Sequence, residues 1–121
     1  IKGVGPITAI VMLCSTLNFT KITDHRKCAC YCGLAPFEHS SGTSVRGGCH
    51  TSSKANRDIK VQLNRSALIA IRCDPQLKAY YERKVAEGKH KFSVLNAVRA
   101  KIAARCFAVV RRGTPYVALQ I

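Results

Sequence analysis

Apolar residues recur at helical rather than strand spacing along most of this chain. Behind the turn Gly3-Val4-Gly5, Pro6 suits a first helical position, and Ile7 to Cys14 supply apolar side chains turn upon turn, which predicts a short helix at roughly 6–16. Thr23 is placed to cap a second helix through Tyr31 or Cys32, with Gly33 as its left-handed terminator and Pro36 preventing continuation. From Lys54 to Cys73 the period sharpens. Ile59, Leu63, Ala67 and Ala70 fall on one side, and at about 100° per residue Lys54, Arg57, Arg65 and Arg72 gather on the other. Asp74-Pro75 is a cap followed by a first-turn proline, opening a fourth helix that reaches Glu87 before Gly88. A fifth, from about Phe92 to Arg111, repeats Leu95, Val98, Ile102, Cys106 and Val109 at steps of three and four. It carries Lys101, Arg105 and Arg112 along a flank and stops at Gly113 and Pro115.

Between the second and third helices, Phe37 to Ser53 has no helical period and is rich in Ser, Gly, Thr and His. It is expected as one long irregular or hairpin-like loop, of the kind that usually serves function inside compact domains. The expected fold class is therefore all-α, about five helices with a long Ser/Gly-rich loop. A chain of 121 residues suffices for one domain and one core. It contains no internal repeat or low-complexity tract.

Charge changes the picture. Twenty Lys and Arg face six Asp and Glu, a formal net charge of +14. Such a surplus attracts polyanions, of which nucleic acid is the commonest. The cations also interrupt every apolar run well short of the roughly 18 to 20 residues that a bilayer span needs, so no membrane partner is expected. The opening Ile1-Lys2-Gly3 has neither an initiator Met nor a targeting segment and reads as a piece of a longer chain. The seven cysteines (14, 28, 30, 32, 49, 73 and 106) form an odd set, mostly inside apolar helical segments, where Cys behaves as a small hydrophobe. They point to a reduced, cytoplasmic protein. Cys28, Cys30 and Cys32 with Cys49-His50 lack the C-x₂-C spacing of structural zinc sites, and on a helix Cys30 faces away from the other two, so no metal site is expected.

Three features bear on chemistry. Gly3 and Gly5 directly before a helix match the hairpin and second helix of a helix-hairpin-helix element. There, small residues admit a phosphate to backbone N–H groups, and the helix offers its positive end. A plain tight turn has the same sequence. In the loop, Ser41 beside Gly42 offers a hydroxyl and Arg46 a nearby cation, two needs of a serine that attacks phosphorus, with His39 as a candidate base. A solvated Ser/Gly loop is the plainer reading of the same residues. The six acids, Asp24, Glu38, Asp58, Asp74, Glu82 and Glu87, are scattered, and Asp24 and Asp74 serve as helix-start residues. Two-metal phosphoryl transfer needs carboxylates that converge. No cofactor is expected in this chain. Tyr80 and Tyr81 read as packing plus one exposed phenol.

The order of motifs carries a resemblance across essentially the whole chain. Ile1-x-Gly3-Val4-Gly5-Pro6 is followed by Tyr31-Cys32-Gly33-Leu34-Ala35-Pro36, then Ser40-Ser41-Gly42-x-x-Val45-Arg46-Gly47, then Lys54-Ala55-Asn56-Arg57. Asp74-Pro75-x-Leu77-x-x-Tyr80-Tyr81 and a closing Gly113-Thr114-Pro115-Tyr116 complete the series. Together they resemble the C-terminal domain of bacterial insertion-sequence transposases that have an N-terminal RuvC-like DEDD nuclease domain and a C-terminal serine-bearing domain, relatives of the Piv-type DNA invertases. The resemblance implies that Ser41 is the nucleophile joined covalently to a DNA phosphate. It also implies that a magnesium-binding acidic tetrad lies in an N-terminal domain absent from this piece, which alone is then inactive. A guide RNA from the same element and a homo-oligomeric full-length protein are implied likewise. Lys54-Ala55-Asn56 lacks the Gly often found there in the family. The expected function is DNA binding and serine-mediated strand exchange. Gly3, Gly5, Arg46, Lys54, Arg57, Arg65, Arg72, Lys101 and Arg105 are expected to hold nucleic acid. A non-catalytic helix-hairpin-helix nucleic-acid-binding module is the alternative.

Overall fold

A computed structural model describes residues 1–34, 36–41, 45–51 and 57–118, the strand segments by their backbone alone. Among the described residues five helices occur in the expected order: α1 (Pro6–Ser15), α2 (His25–Tyr31), α3 (Arg57–Cys73), α4 (Pro75–Ala86) and α5 (Lys91–Arg112). Between α2 and α3 the segment expected as irregular or hairpin-like forms an antiparallel hairpin, β1 (Pro36–Ser41) and β2 (Val45–Thr51).

Local chemistry sets most helix ends. Asp74 accepts from the N–H groups of Gln76 (3.0 Å) and Leu77 (3.2 Å), so the orphan donors at the start of α4 are satisfied by one carboxylate. At α2 the cap is Asp24 rather than the expected Thr23. Its extended backbone brings the carboxylate to the Arg26 N–H at 3.4 Å, and the helix begins one residue later than Thr23 would allow. His90 caps α5 through Nδ1, which accepts from the Phe92 N–H. Gly113, at φ +68, closes α5 in the left-handed conformation that a side chain disfavours.

The core is built around α3, which packs on α1, α4 and α5. Ile59, Leu63, Ala67 and Ala70, the stripe expected from periodicity, are all fully buried. Val98 and Ile102 of α5, Leu77 of α4, Met12 of α1 and Cys28 and Cys32 around the end of α2 complete the interior. Each fully buried Leu, Ile, Val or Met side chain contributes roughly 1.5–3 kcal/mol of transfer free energy. Cys30 is exposed, as its position on α2 requires. The hydrogen-bonded Cys32 sulfur beside it, together with burial, pushes the Cys28 thiol up, so it remains protonated. Gly3 (φ +88) lies so close to α3 that a Cβ would stand 2.3 Å from the Ser66 carbonyl oxygen. That contact and the buried Thr8–Ser66 hydroxyl pair (3.2 Å) seat α1 on α3. Ile7, Ile10, Leu13 and Leu17 stay exposed on the other side of α1 and just past its end. An open groove lined by Ile10, Val11, Cys14 and Val61 runs between α1 and α3. Among the described residues no helix is long and apolar enough to cross a membrane.

Candidate nucleic-acid interface and serine hairpin

The outer side of α3 carries the cations that periodicity assigned to it. Arg57, Arg65 and Arg72 are all exposed, interleaved with Val61 and Leu68. At 1.5 Å per residue Arg57 and Arg72 stand roughly 22 Å apart along the axis, about two thirds of a duplex turn. Lys54 lies outside the described residues. At the C-terminal part of α3 the Gly3–Gly5 turn abuts Ser66 and Ala70, and the Lys2 ammonium donates to the Cys73 carbonyl at 3.1 Å. Gly3 is thus held by packing against α3. Gly5, the exposed N-cap of α1, has open space where a Cβ would be.

The hairpin precedes α3. Ser41 is the last residue of β1 and pairs with Val45, while Arg46 stands opposite Ser40, one step from Ser41 along the ladder. The register shifts between Glu38 and Ser40, at His39. The backbone thereby brings positions 39, 41 and 46 to the tip end of one hairpin.

Two of the expected contacts on α5 are already engaged inside the fold. Arg105 donates to Asp74 Oδ2 at 2.8 Å and to Gln76 Oε1 at 2.6 Å. Although burial opposes ionisation of Asp74, Arg105 and the N–H groups of Leu77 and Gln76 outweigh it and hold the carboxyl below its usual range. The Lys101 ammonium lies 4.6 Å from the Tyr80 ring centroid, a cation–π contact that leaves the lysine exposed.

Three of the described carboxylates already have partners within the fold. Asp24 and Asp74 cap helices, and Glu87 pairs with Lys84 at 2.7 Å. Among the described residues no group of three or more His, Cys, Asp or Glu side chains is arranged to hold a metal ion.

A polar cluster that periodicity passed over lies where α3, α5 and the end of α2 meet. The Arg99 guanidinium donates to Asn64 Oδ1 at 2.6 Å and to Asn96 Oδ1 at 3.4 Å, and Asn96 donates to the Leu34 carbonyl at 2.6 Å. Its Nε is buried without a partner, and burial draws the pKa of the guanidinium down. The available signal was an arginine next to Val98 on the inner side of an amphipathic helix.

The family described as Transposase IS116/IS110/IS902 matches residues 1–82, which span α1, α2, the hairpin, α3 and the start of α4. The chain belongs to this transposase family. An uncharacterised 43.6 kDa protein of insertion element IS110 from Streptomyces coelicolor is 38% identical over 115 residues, covering 94% of this chain and 28% of that protein. The pilin gene-inverting protein of Moraxella bovis is 25% identical over 117 residues, covering 96% of this chain and 36% of its own length. An uncharacterised 42 kDa protein of insertion element IS900 from Mycobacterium paratuberculosis is 37% identical over 71 residues, 58% of this chain and 18% of that protein. The chain of this family member therefore spans about a third or less of the curated relatives it matches.

Proposed function

We propose that this chain is the serine-bearing C-terminal domain of an insertion-sequence DNA transposase. The observation that carries this reading is the position of Ser41. It ends β1 beside the tip of the hairpin that precedes α3, a helix with a cationic outer flank, inside the segment that matches the transposase family.

In this mechanism the Ser41 Oγ forms a bond to phosphorus as a bridging bond to a sugar oxygen breaks. The hydroxyl loses its proton, with His39 as the candidate acceptor, and the departing sugar oxygen gains one. Attack by a sugar hydroxyl of the partner strand on the same phosphorus reverses the step and releases serine. Arg46 offsets charge on the non-bridging oxygens. The outer flank of α3 and the Gly5 end of α1, read as the second half of a helix-hairpin-helix element, hold the DNA backbone. Magnesium, where the reaction uses it, belongs in this reading to carboxylates of another domain, as the family resemblance implies. A guide RNA and homo-oligomeric assembly belong to the same reading through the family resemblance.

Ser41→Ala in the full-length protein tests it. Strand exchange should fall to background while affinity for DNA stays within about twofold, since a lost phosphate contact alone moves affinity much more. Unchanged strand exchange would reduce the chain to a binding module.

A further inference from the structure

Arg99 pairs with no acidic side chain among the described residues. Its side chain is half-buried, yet the groups that hold it, Asn64 and Asn96, are neutral amides. The ion pairs among the described residues join Asp24 to His25, Asp74 to Arg105, and Glu87 to Arg83 and Lys84, and none reaches Arg99. Amide oxygens orient a guanidinium without neutralising it, and withdrawing a charge from water without a counter-charge is unfavourable. Five N–H donors in a fixed fork match the paired oxygens of a phosphate, and two of Arg99's donors are accounted for by the amides. The location is specific. Asn96 grips the Leu34 carbonyl, two residues before β1 begins, so the clasp sits at the foot of the hairpin that carries Ser41.

We infer that Arg99, oriented by Asn64 and Asn96, receives a backbone phosphate of the nucleic acid at the base of the Ser41 hairpin. The bound phosphate supplies a counter-charge that no described residue provides. It thereby fixes the strand relative to the hairpin foot rather than only along the outer flank of α3. This inference rests on the nucleic-acid reading above.

The test is duplex-oligonucleotide binding by the chain, followed by fluorescence anisotropy across a salt series, with thermal melting of each variant. Wild type should show a slope of log K against log salt near −5 if about six phosphates are neutralised. Arg99→Gln should flatten that slope by about 0.9, which is about eightfold weaker binding at about 0.1 M salt, whereas Arg99→Lys should keep the wild-type slope. The melting temperature of Arg99→Gln should equal or exceed that of wild type, because a half-buried charge with no described counter-charge has been removed. Arg65→Gln on the outer flank serves as the comparison. A flattened slope for Arg65→Gln beside a wild-type slope for Arg99→Gln would overturn the inference and leave the nucleic-acid reading standing. Lowered melting with unchanged binding would likewise make Arg99 a purely structural clasp. A flat salt response of wild type itself would overturn both readings.

Discussion

Asp74 joins two helices through one carboxylate. It caps α4, it pairs with Arg105 of α5, and with 6% of its surface exposed it does so largely out of water. Replacing it by Asn keeps an oxygen for the cap but removes the charge facing Arg105. At neutral pH this should cost about 1–3 kcal/mol, read by urea denaturation, because a hydrogen-bonded charged partner is lost while the guanidinium stays partly buried. The folded carboxyl titrates below the unfolded one. Its stabilisation is therefore fully present above the unfolded carboxylate value near pH 4 and is lost as pH falls through the folded value. The gap between wild type and Asp74→Asn should close under acid. A gap that stays constant from neutral pH to about pH 2 would show that the charge contributes nothing. The same pairing engages two of the five Arg105 donors inside the fold.

At the scale of elements, the two glycines before α1 separate packing from access. Gly3 combines a positive φ with a carbonyl oxygen where its Cβ would be, while Gly5 has neither constraint. Gly3→Ala should destabilise the protein by about 2 kcal/mol or more, and Gly5→Ala by under about 0.5 kcal/mol, measured by chemical denaturation. Equal losses would contradict the seating of α1 on α3. The helices were legible because each carries a strong local signal: the Ile59, Leu63, Ala67 and Ala70 stripe, Asp74-Pro75, and Gly113. The α2 boundary was less so, since Thr23 and Asp24 are adjacent residues of equal capping chemistry and only the backbone geometry chooses between them. The hairpin register was not legible, because a Ser- and Gly-rich segment has no alternation to fix which residues pair. The Arg99 clasp was invisible for another reason. Its hydrogen bonds join residues 35 and 62 positions apart, each an unremarkable polar site on a helix flank or a main-chain carbonyl.

For the whole molecule, α3 is the organising axis. Its inner stripe holds the core together, its outer flank carries the cations, the Gly3–Gly5 turn rests near one end, and the other end follows the hairpin. The helix bearing the proposed backbone-holding surface thus follows the segment bearing Ser41 along the chain. The excess of 14 positive charges on 121 residues opposes compaction of the free protein through self-repulsion and favours its binding to polyanions. Covalent chemistry at one hydroxyl is what separates the proposed transposase domain from a binding module. Its most direct test is to digest the full-length protein after reaction with DNA carrying its element ends and to locate the protein–DNA link by peptide mass spectrometry. The account predicts a nucleotide phosphate on the peptide containing Ser41, absent from Ser41→Ala. A link mapped to another residue such as Tyr80, or strand exchange proceeding with no protein–DNA link at all, would contradict it.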